Sequence, residues 1–135
     1  MSPVVPKCLA LILCESVTYS ASTGEPSVVR AFETFPVARF PARTQRFSVW
    51  MQLTDGNGSV TLSLIIEHIP PDRVEPDVLA LVKFTRTFHN PNAVLEHEAV
   101  LQDGIELEEV GRYRLRLEAD GVTIMQRYFV AQLAP

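Results

Sequence analysis

The stretch GRYRLRLEADGVTIMQRYFV (residues 111–130) decides the fold class of this chain. Apolar residues from Tyr113 to Ala119 alternate with charged ones, which is the pattern of a β-strand with one buried and one wetted face. Asp120-Gly121 follows, and this pair tolerates the positive φ angles that a two-residue hairpin turn requires. A second strand, from Val122 to about Gln132, completes the predicted hairpin.

Simple pairing across this hairpin creates a charge conflict. With a two-residue turn, Arg114 lies opposite Arg127, and like charges directly opposite each other are unfavourable. A β-bulge near Met125–Arg127 removes the conflict and brings Tyr128 or Phe129 onto the core face. We therefore predict a bulge in the second strand.

Further strands are predicted where apolar runs lie between the ten prolines, because proline cannot donate to a sheet ladder. The run KCLALILC (7–14) is continuously apolar, so we expect both of its faces to be covered, and VTYSAS (17–22) extends it. The other candidates are VVRAFETF (28–35) and VLALVKFTRTFH (78–89). AVLEHEAVLQDGIEL (93–107) suits either a short helix or a strand with a bend, and we favour the strand.

Two alternating segments surround a strong turn signal in the middle of the chain. RFSVWMQLT (46–54) and SVTLSLIIEH (59–68) are separated by Asp55-Gly56-Asn57-Gly58, so they are predicted to form a second hairpin. Seven or eight strands at intervals of roughly 10–15 residues predict an all-β protein, an antiparallel β-sandwich. Its length indicates a single domain over residues 1–135.

The strand patterns carry a resemblance to a known family. Three pieces resemble a family of small, uncharacterised bacterial proteins with a predicted immunoglobulin-like fold: LILCESV (11–17), FSVWMQLTDGNGSVTLSL (47–64) and GRYRLRLEADG (111–121). The resemblance implies an immunoglobulin-like sandwich with Tyr113 at the tyrosine-corner position of the penultimate strand. It implies no activity and no functional residues, because none is assigned to the family.

Charge and cysteine usage indicate a compartment. A net charge of −4 provides no general attraction to nucleic acid or to an anionic membrane. Cys8 and Cys14 on one strand are about 20 Å apart, beyond disulfide reach, which predicts reduced, buried thiols and a cytoplasmic location. The alternative is an export signal with Lys7 before the apolar run 8–14, but that run is short and Glu15 follows at once. No apolar run approaches the ~20 residues of a spanning helix.

The sequence contains no constellation typical of catalysis. A nucleophile elbow, a phosphate-binding loop and a dinucleotide fingerprint are all missing, so we predict neither an enzyme nor a cofactor. A metal-dependent enzyme is an alternative only if His68, His89 and His97 converge with a carboxylate such as Asp72, and no recognised metal-ligand spacing is present.

Candidate binding residues fall into three groups. Arg112, Arg114 and Arg116 form a basic row on the wetted face of one strand, with Arg127 beside it, and suit an acidic partner unless neighbouring glutamates simply balance them. The loop FPVARFPAR (35–43) offers Phe35, Arg39, Phe40 and Arg43, which are interface anchors, a stacking surface for a single-stranded nucleic acid, or a plug for one end of the sandwich. Trp50 has the parity of the outer face, where it marks a contact or dimer surface.

Together these features predict a non-catalytic protein-binding or accessory module with an unknown protein partner. The alternative is a structural subunit of a phage or secreted assembly, which would form oligomers. Homodimerisation is expected through an outer face or an edge strand, because open sheets have edges that must be paired or protected.

Overall fold

The computed structural model describes residues 4–135, so the first three residues of the predicted 1–135 domain lie outside the described part. Within it the chain forms eleven β-strands and no helix, which confirms the all-β prediction. The strands are β1 (Lys7–Tyr19), β2 (Pro26–Ala31), β3 (Thr34–Val37), β4 (Ala42–Arg43), β5 (Phe47–Thr54), β6 (Gly58–Ile69), β7 (Asp77–Phe88), β8 (Leu95–Leu101), β9 (Glu106–Leu107), β10 (Gly111–Ala119) and β11 (Val122–Leu133).

The strands form two large sheets and one short ladder. A four-stranded antiparallel sheet has the order β2-β1-β5-β8, and a five-stranded mixed sheet has the order β3-β11-β10-β6-β7. The mixed sheet contains one parallel pair, β3 with β11, so the predicted antiparallel arrangement does not hold at this edge. The short strands β4 and β9 pair separately. The strand count exceeds the predicted seven or eight because one predicted strand is split in two and short pieces pair locally.

One hydrophobic core lies between the inner faces of the two large sheets. Fully buried side chains from both sheets meet in it, among them Leu11, Val49, Met51, Leu64, Tyr113 and Leu115. Alternation along β5 and β10 supplies one inward side chain at every second residue. The outer faces of the two sheets therefore carry the polar and half-buried side chains that are available to form binding surfaces.

The predicted hairpin between residues 46–54 and 59–68 is wrong. β5 pairs with β1 and β8, whereas β6 pairs with β7 and β10. The connection at residues 55–57 therefore carries the chain from one sheet to the other across the core. Alternation shows that each strand has one apolar face. Two such strands can pair side by side in one sheet or face each other across the core, and the same turn residues can connect them in both arrangements.

The predicted strand 28–35 is also wrong as a single element. Its first part belongs to β2 in the four-stranded sheet and its last part to β3 in the mixed sheet. The chain crosses between the sheets at Phe32-Glu33, where the Phe32 amide still donates to the Leu13 carbonyl and the Glu33 carbonyl already accepts from Val130. Apolar content alone does not reveal such a change of sheet.

The predicted hairpin of residues 111–130, which we call the closing hairpin, and its bulge are confirmed. Asp120 and Gly121 have φ angles of 47° and 85°, as a two-residue turn with two positive φ values requires. Leu117 pairs with Met125 but Glu118 pairs with Thr123, so Ile124 is the extra residue. The bulge lies one residue before the predicted range, and it places Phe129 in the core.

The first strand is less fully covered than its continuous apolar run predicts. Full cover of both faces of residues 7–14 does not hold at Leu9, which is 53% exposed. Cys8 and Cys14 are free thiols, half-buried and buried respectively. Residues 93–107 form strands β8 and β9 separated by a turn, which confirms the strand interpretation.

Candidate functional site

The arginine row (Arg112, Arg114 and Arg116) lies on the outer face of the mixed sheet, where it meets a buried carboxylate. Glu67 projects from the neighbouring strand β6 and is 2% exposed. Its Oε1 accepts hydrogen bonds from Arg114 at 3.1–3.2 Å and from Arg116 Nε at 2.9 Å. Burial raises the pKa of Glu67, but the hydrogen bonds and charges of the two arginines outweigh it, so the pKa lies below its usual range.

The remaining charges of the row are also engaged. Arg116 forms a second ion pair with Glu118, and its hydrogen bond to Glu67 raises its pKa further. The Arg112 guanidinium lies 4.2 Å from the centre of the Tyr128 ring. Two of the three guanidinium groups are therefore neutralised by carboxylates, and this face has little positive charge left for a partner.

Arg127 does not lie beside the arginine row, contrary to the prediction. It is paired with Leu115, and both residues point to the core side of the sheet. Its guanidinium reaches the edge of the core, where Nη1 donates to the Leu11 carbonyl at 3.0 Å and Nη2 lies 2.6 Å from Glu33. The bulge at Ile124 causes this, because one inserted residue exchanges the two faces of a strand.

Trp50 lies on the outer face of the four-stranded sheet, as its parity predicts. It is paired with Ile12 on β1 and with Glu98 on β8. The ring is half-buried, and its Nε1 is buried without a hydrogen-bond acceptor among the described residues. Ser48 donates to Glu98 at 2.6 Å nearby, so the carboxylate is already bound.

The loop 35–43 contributes one aromatic residue to a cluster at the end of the core. Phe35 lies 4.7 Å from Phe32, 5.3 Å from Phe47 and 5.5 Å from Phe129, measured between ring centres, in edge-to-face arrangements. Phe40 is half-buried and packs against the core. These contacts favour the plug interpretation for the two phenylalanines, although Phe32 and Phe35 keep part of their surface open.

That open surface forms the floor of a groove of about 800 Å³, which we call the arginine groove. Its floor is Phe32, Phe35 and Phe47, and β3 forms one wall. Three arginines line it: Arg30, Arg43 and Arg46. Among the residues described, one carboxylate, Glu15, lines the groove, and its oxygen lies 3.4 Å from Arg30 Nε.

The arginine groove brings together only part of the predicted set. Phe35 and Arg43 line it, whereas Arg39 is exposed and Phe40 is packed elsewhere. Arg43 Nη1 donates to the Asp103 carbonyl at 2.8 Å, which holds its guanidinium at the rim. The arrangement suits an anionic, partly apolar ligand, because charged hydrogen-bond donors surround an apolar floor.

The three histidines do not converge. His68 and His89 lie at opposite ends of the β6–β7 ladder, since His68 pairs with Asp77 and Gly58 pairs with Phe88. His97 stacks on Phe84 at 3.8 Å. Within residues 4–135, no group of three His, Cys, Asp or Glu side chains is placed to hold a metal ion.

A comparison with protein families identifies the chain at family level. The model of DUF6941, a family of unknown function, matches residues 9–131. The chain belongs to the DUF6941 family. The match begins within β1 and ends within β11, so it includes both large sheets and every residue of the arginine groove. No curated protein matches this DUF6941 chain.

Solved structures similar to the DUF6941 chain belong to larger proteins. The alkylpurine DNA glycosylase AlkC of Pseudomonas fluorescens, bound to DNA with an abasic site analog, aligns with a TM-score of 0.54 at 12% identity, covering 97% of this chain and 31% of that one. The β-D-glucoside glucohydrolase of Trichoderma reesei aligns with a TM-score of 0.52 at 9% identity, covering 98% and 19%. The β-glucosidase 3B of Thermotoga neapolitana gives 0.50 at 13% identity, covering 96% and 16%.

These similarities concern the fold alone. The DUF6941 chain spans less than a third of each of these proteins. Residues 4–135 contain no helix that is long and apolar enough to cross a membrane.

Sequence reasoning missed four of the arginine and phenylalanine residues that line the arginine groove. Arg46 follows Arg43 by three residues, so extending the loop 35–43 by three residues would have found it. Arg30, Phe32 and Phe47 gave no local signal, because they approach one another only where the chain crosses between the sheets.

Proposed function

We propose that this DUF6941 chain is a non-catalytic, cytoplasmic protein-binding module that holds an acidic segment of a partner protein in the arginine groove. One observation supports this proposal above the others. Among residues 4–135, three arginines (Arg30, Arg43 and Arg46) and one carboxylate line the groove, in a chain whose net charge is −4. A locally positive groove on a negative protein favours an acidic partner and accelerates its approach.

The apolar floor adds specificity to this attraction. Exposed guanidinium groups alone provide weak, salt-sensitive binding. Aromatic surface at the bottom of the groove gives apolar side chains of the partner a place to be buried, and aromatic and arginine residues are the usual anchors of interfaces. The preferred ligand therefore alternates acidic and apolar residues.

We further propose that the fold is an immunoglobulin-like sandwich of a single domain. The order β1-β5-β8 opposite β11-β10-β6-β7 corresponds to strands A-B-E opposite G-F-C-C′ of that architecture. The Tyr113 hydroxyl donates to the Glu109 carbonyl four residues upstream at 2.7 Å, in the manner of a tyrosine corner.

Thiol chemistry supports a binding role over a nucleophilic one. Burial raises the pKa of both Cys8 and Cys14 to about 11. At neutral pH such thiols are almost entirely protonated and are poor nucleophiles.

A peptide selection tests the proposed function. Immobilised protein is exposed to a pooled library of short peptides with Asp or Glu at every second position and apolar residues between, and to a matched library with Lys or Arg instead. We expect enrichment from the acidic library only. The double variant Arg43→Gln/Arg46→Gln should weaken the selected peptides by at least about tenfold.

The control is the double variant Arg73→Gln/Lys83→Gln, which removes the same charge far from the groove and should bind as the wild type does. Equal loss of peptide binding in both double variants would show that net charge alone determines binding, and would refute the groove as the binding site. If Arg112→Gln loses peptide binding and Arg43→Gln/Arg46→Gln keeps it, the docking surface is the arginine row and not the groove.

A second candidate function is self-assembly, which the edge of the mixed sheet favours. β7 is an edge strand of twelve residues, and its Val78 and Leu81 are 61% and 53% exposed. Long edges with apolar side chains pair with other chains unless protected. Light scattering across a concentration series tests this: dimers lost in Leu81→Lys would support a structural subunit, and a monomer at all concentrations would exclude it.

A further inference from the structure

We infer that the acidic segment binds as an additional β-strand along the free edge of β3. This inference rests on the proposed function and specifies how the arginine groove holds its ligand. β3 is the edge of the five-stranded sheet, and all four of its residues line the groove. Main-chain hydrogen bonds to β3 would supply affinity, and the arginines and the aromatic floor would supply selectivity.

The hydrogen bonds of β3 show which backbone groups face the groove. On the β11 side, the Glu33 carbonyl accepts from Val130 N at 3.0 Å and the Val37 carbonyl accepts from Ala134 N at 2.8 Å. Backbone groups of alternate residues point to opposite edges of a strand. Glu33, Phe35 and Val37 therefore face β11, and Thr34 and Pro36 direct their backbone groups away from it.

The groups directed away from β11 form a short docking edge. Thr34 offers one N–H donor and one carbonyl acceptor, and Pro36 offers a carbonyl only, because proline has no N–H. An added strand therefore donates two hydrogen bonds and accepts one. The docking edge favours ligands whose amide groups are free at alternate positions.

The charges at the groove indicate an acidic segment of another protein rather than a second copy of β3. Two copies paired along this edge would bring the arginines of both grooves together, and each Pro36 would lack the donor that the other edge needs. An acidic strand instead places its carboxylates towards Arg43 and Arg46. Its alternate apolar side chains then lie over Phe32 and Phe35.

Backbone methylation of one selected acidic peptide tests the binding mode. Two derivatives are made, in which the amide nitrogens of either the odd or the even residues are methylated. In an added strand only one of these sets points towards β3, so we expect one derivative to lose binding by at least tenfold while the other stays within about threefold of the parent. Fluorescence anisotropy measures both.

Variants of β3 make the same test from the protein side. Pro36→Ala restores an edge N–H and should tighten the parent peptide several-fold, whereas Thr34→Pro removes one and should weaken it by about three- to tenfold. Thermal unfolding of each variant checks that the fold is kept. Tighter binding by Pro36→Ala cannot result from unfolding, because an unfolded variant would bind more weakly.

The outcomes separate the two proposals. If the acidic peptide binds and depends on Arg43 and Arg46 but both methylated derivatives bind equally, strand addition is refuted and the groove function stands. Equal loss in both derivatives also refutes strand addition. If no acidic peptide is enriched, the groove function and the strand addition fail together.

Discussion

Arg127 lies opposite Leu115 across the closing hairpin, on the core side of the mixed sheet, because β11 contains one inserted residue, Ile124. The insertion lets Phe129 enter the core and lets Arg127 leave it at the edge, where its guanidinium meets the Leu11 carbonyl of the opposite sheet. A single residue therefore sets which side chains of β11 join the two sheets and which face solvent.

Deletion of Ile124 tests this register. Without it, the ladder runs on unbroken, with Arg127 still opposite Leu115 and Phe129 still opposite Tyr113, so we expect the deletion variant to fold and to lose no more than about 2 kcal/mol in the free energy of unfolding. Ile124→Ala keeps the bulge and should cost about 1–2 kcal/mol. Chemical denaturation followed by circular dichroism measures both. A deletion variant that does not fold, or that loses more than about 4 kcal/mol, would contradict the assignment of Ile124 as the extra residue.

Gly56 provides a test of the crossing between the sheets. A Cβ at this position would lie 2.4 Å from the ring of buried Phe88, so Gly56→Ala should destabilise the protein by about 1–3 kcal/mol. Gly58→Ala is the comparison, because Gly58 has open space but a φ of 71° and should show conformational strain of about 1 kcal/mol. If Gly56→Ala costs less than Gly58→Ala in denaturant unfolding, the close approach to Phe88 is wrong.

Glu67 makes stability depend on pH in the acidic range. Its folded pKa lies below the unfolded value of about 4.3, so its contribution is present above that pH and is lost as pH falls through the folded pKa. Glu67→Gln should cost about 1–3 kcal/mol at pH 7, because Arg114 and Arg116 lose a charged acceptor. It should also flatten the decline of stability below pH 5, measured by urea unfolding at several pH values. Glu25→Gln, on an exposed turn, should leave that decline as in the wild type.

His97 makes the stability of the fold depend on pH at higher pH values than Glu67 does. Burial among Phe84 and neighbouring groups, and then the charge of Arg86, lower its pKa, while Glu98 opposes them. The folded state therefore binds fewer protons than the unfolded state, and stability falls as pH drops below the unfolded pKa of about 6.5. We expect His97→Gln to lose less stability than the wild type between pH 7 and pH 5. The exposed His89→Gln should retain the wild-type loss, and an unchanged slope in His97→Gln would contradict the assignment.

The raised pKa values of Cys8 and Cys14 predict slow alkylation of both thiols in the native protein. With a pKa of about 11 for Cys8 and Cys14, only about one thiol in 3,000 is ionised at pH 7.5. Iodoacetamide should label neither residue appreciably in the time that labels both in denaturant, as measured by mass spectrometry. Cys14, which is fully buried, should be slower than the half-buried Cys8. Rapid native labelling of Cys14 would show that its burial is wrong.

Local patterns were sufficient for the elements that depend on near neighbours in the chain. Alternation in 111–119 predicts which side chains are buried, and Asp120-Gly121 predicts the turn, because both depend on backbone geometry within a few residues. The repulsion between Arg114 and Arg127 even predicts a bulge, since it is a conflict visible in the pairing itself. For the same reason Trp50 is correctly placed on an outer face.

Partnerships between distant segments were not predictable in this way. The chain crosses between the sheets at 55–57 and at 32–33, and neither crossing differs in composition from an ordinary turn or strand. The buried Glu67 was overlooked because its neutralising role depends on β6 lying beside β10. Arg30 and Arg46 meet at the groove only through the crossing at Phe32.

The sequence by itself determined that this chain is all-β and which face of most strands is buried, because period-two alternation records one apolar and one polar side locally. Only the tertiary structure decided which strands share a sheet, that Arg114 and Arg116 of the arginine row are neutralised, and that an arginine groove exists. Those properties depend on contacts between segments far apart in the chain, and an apolar face is satisfied equally by any partner that covers it.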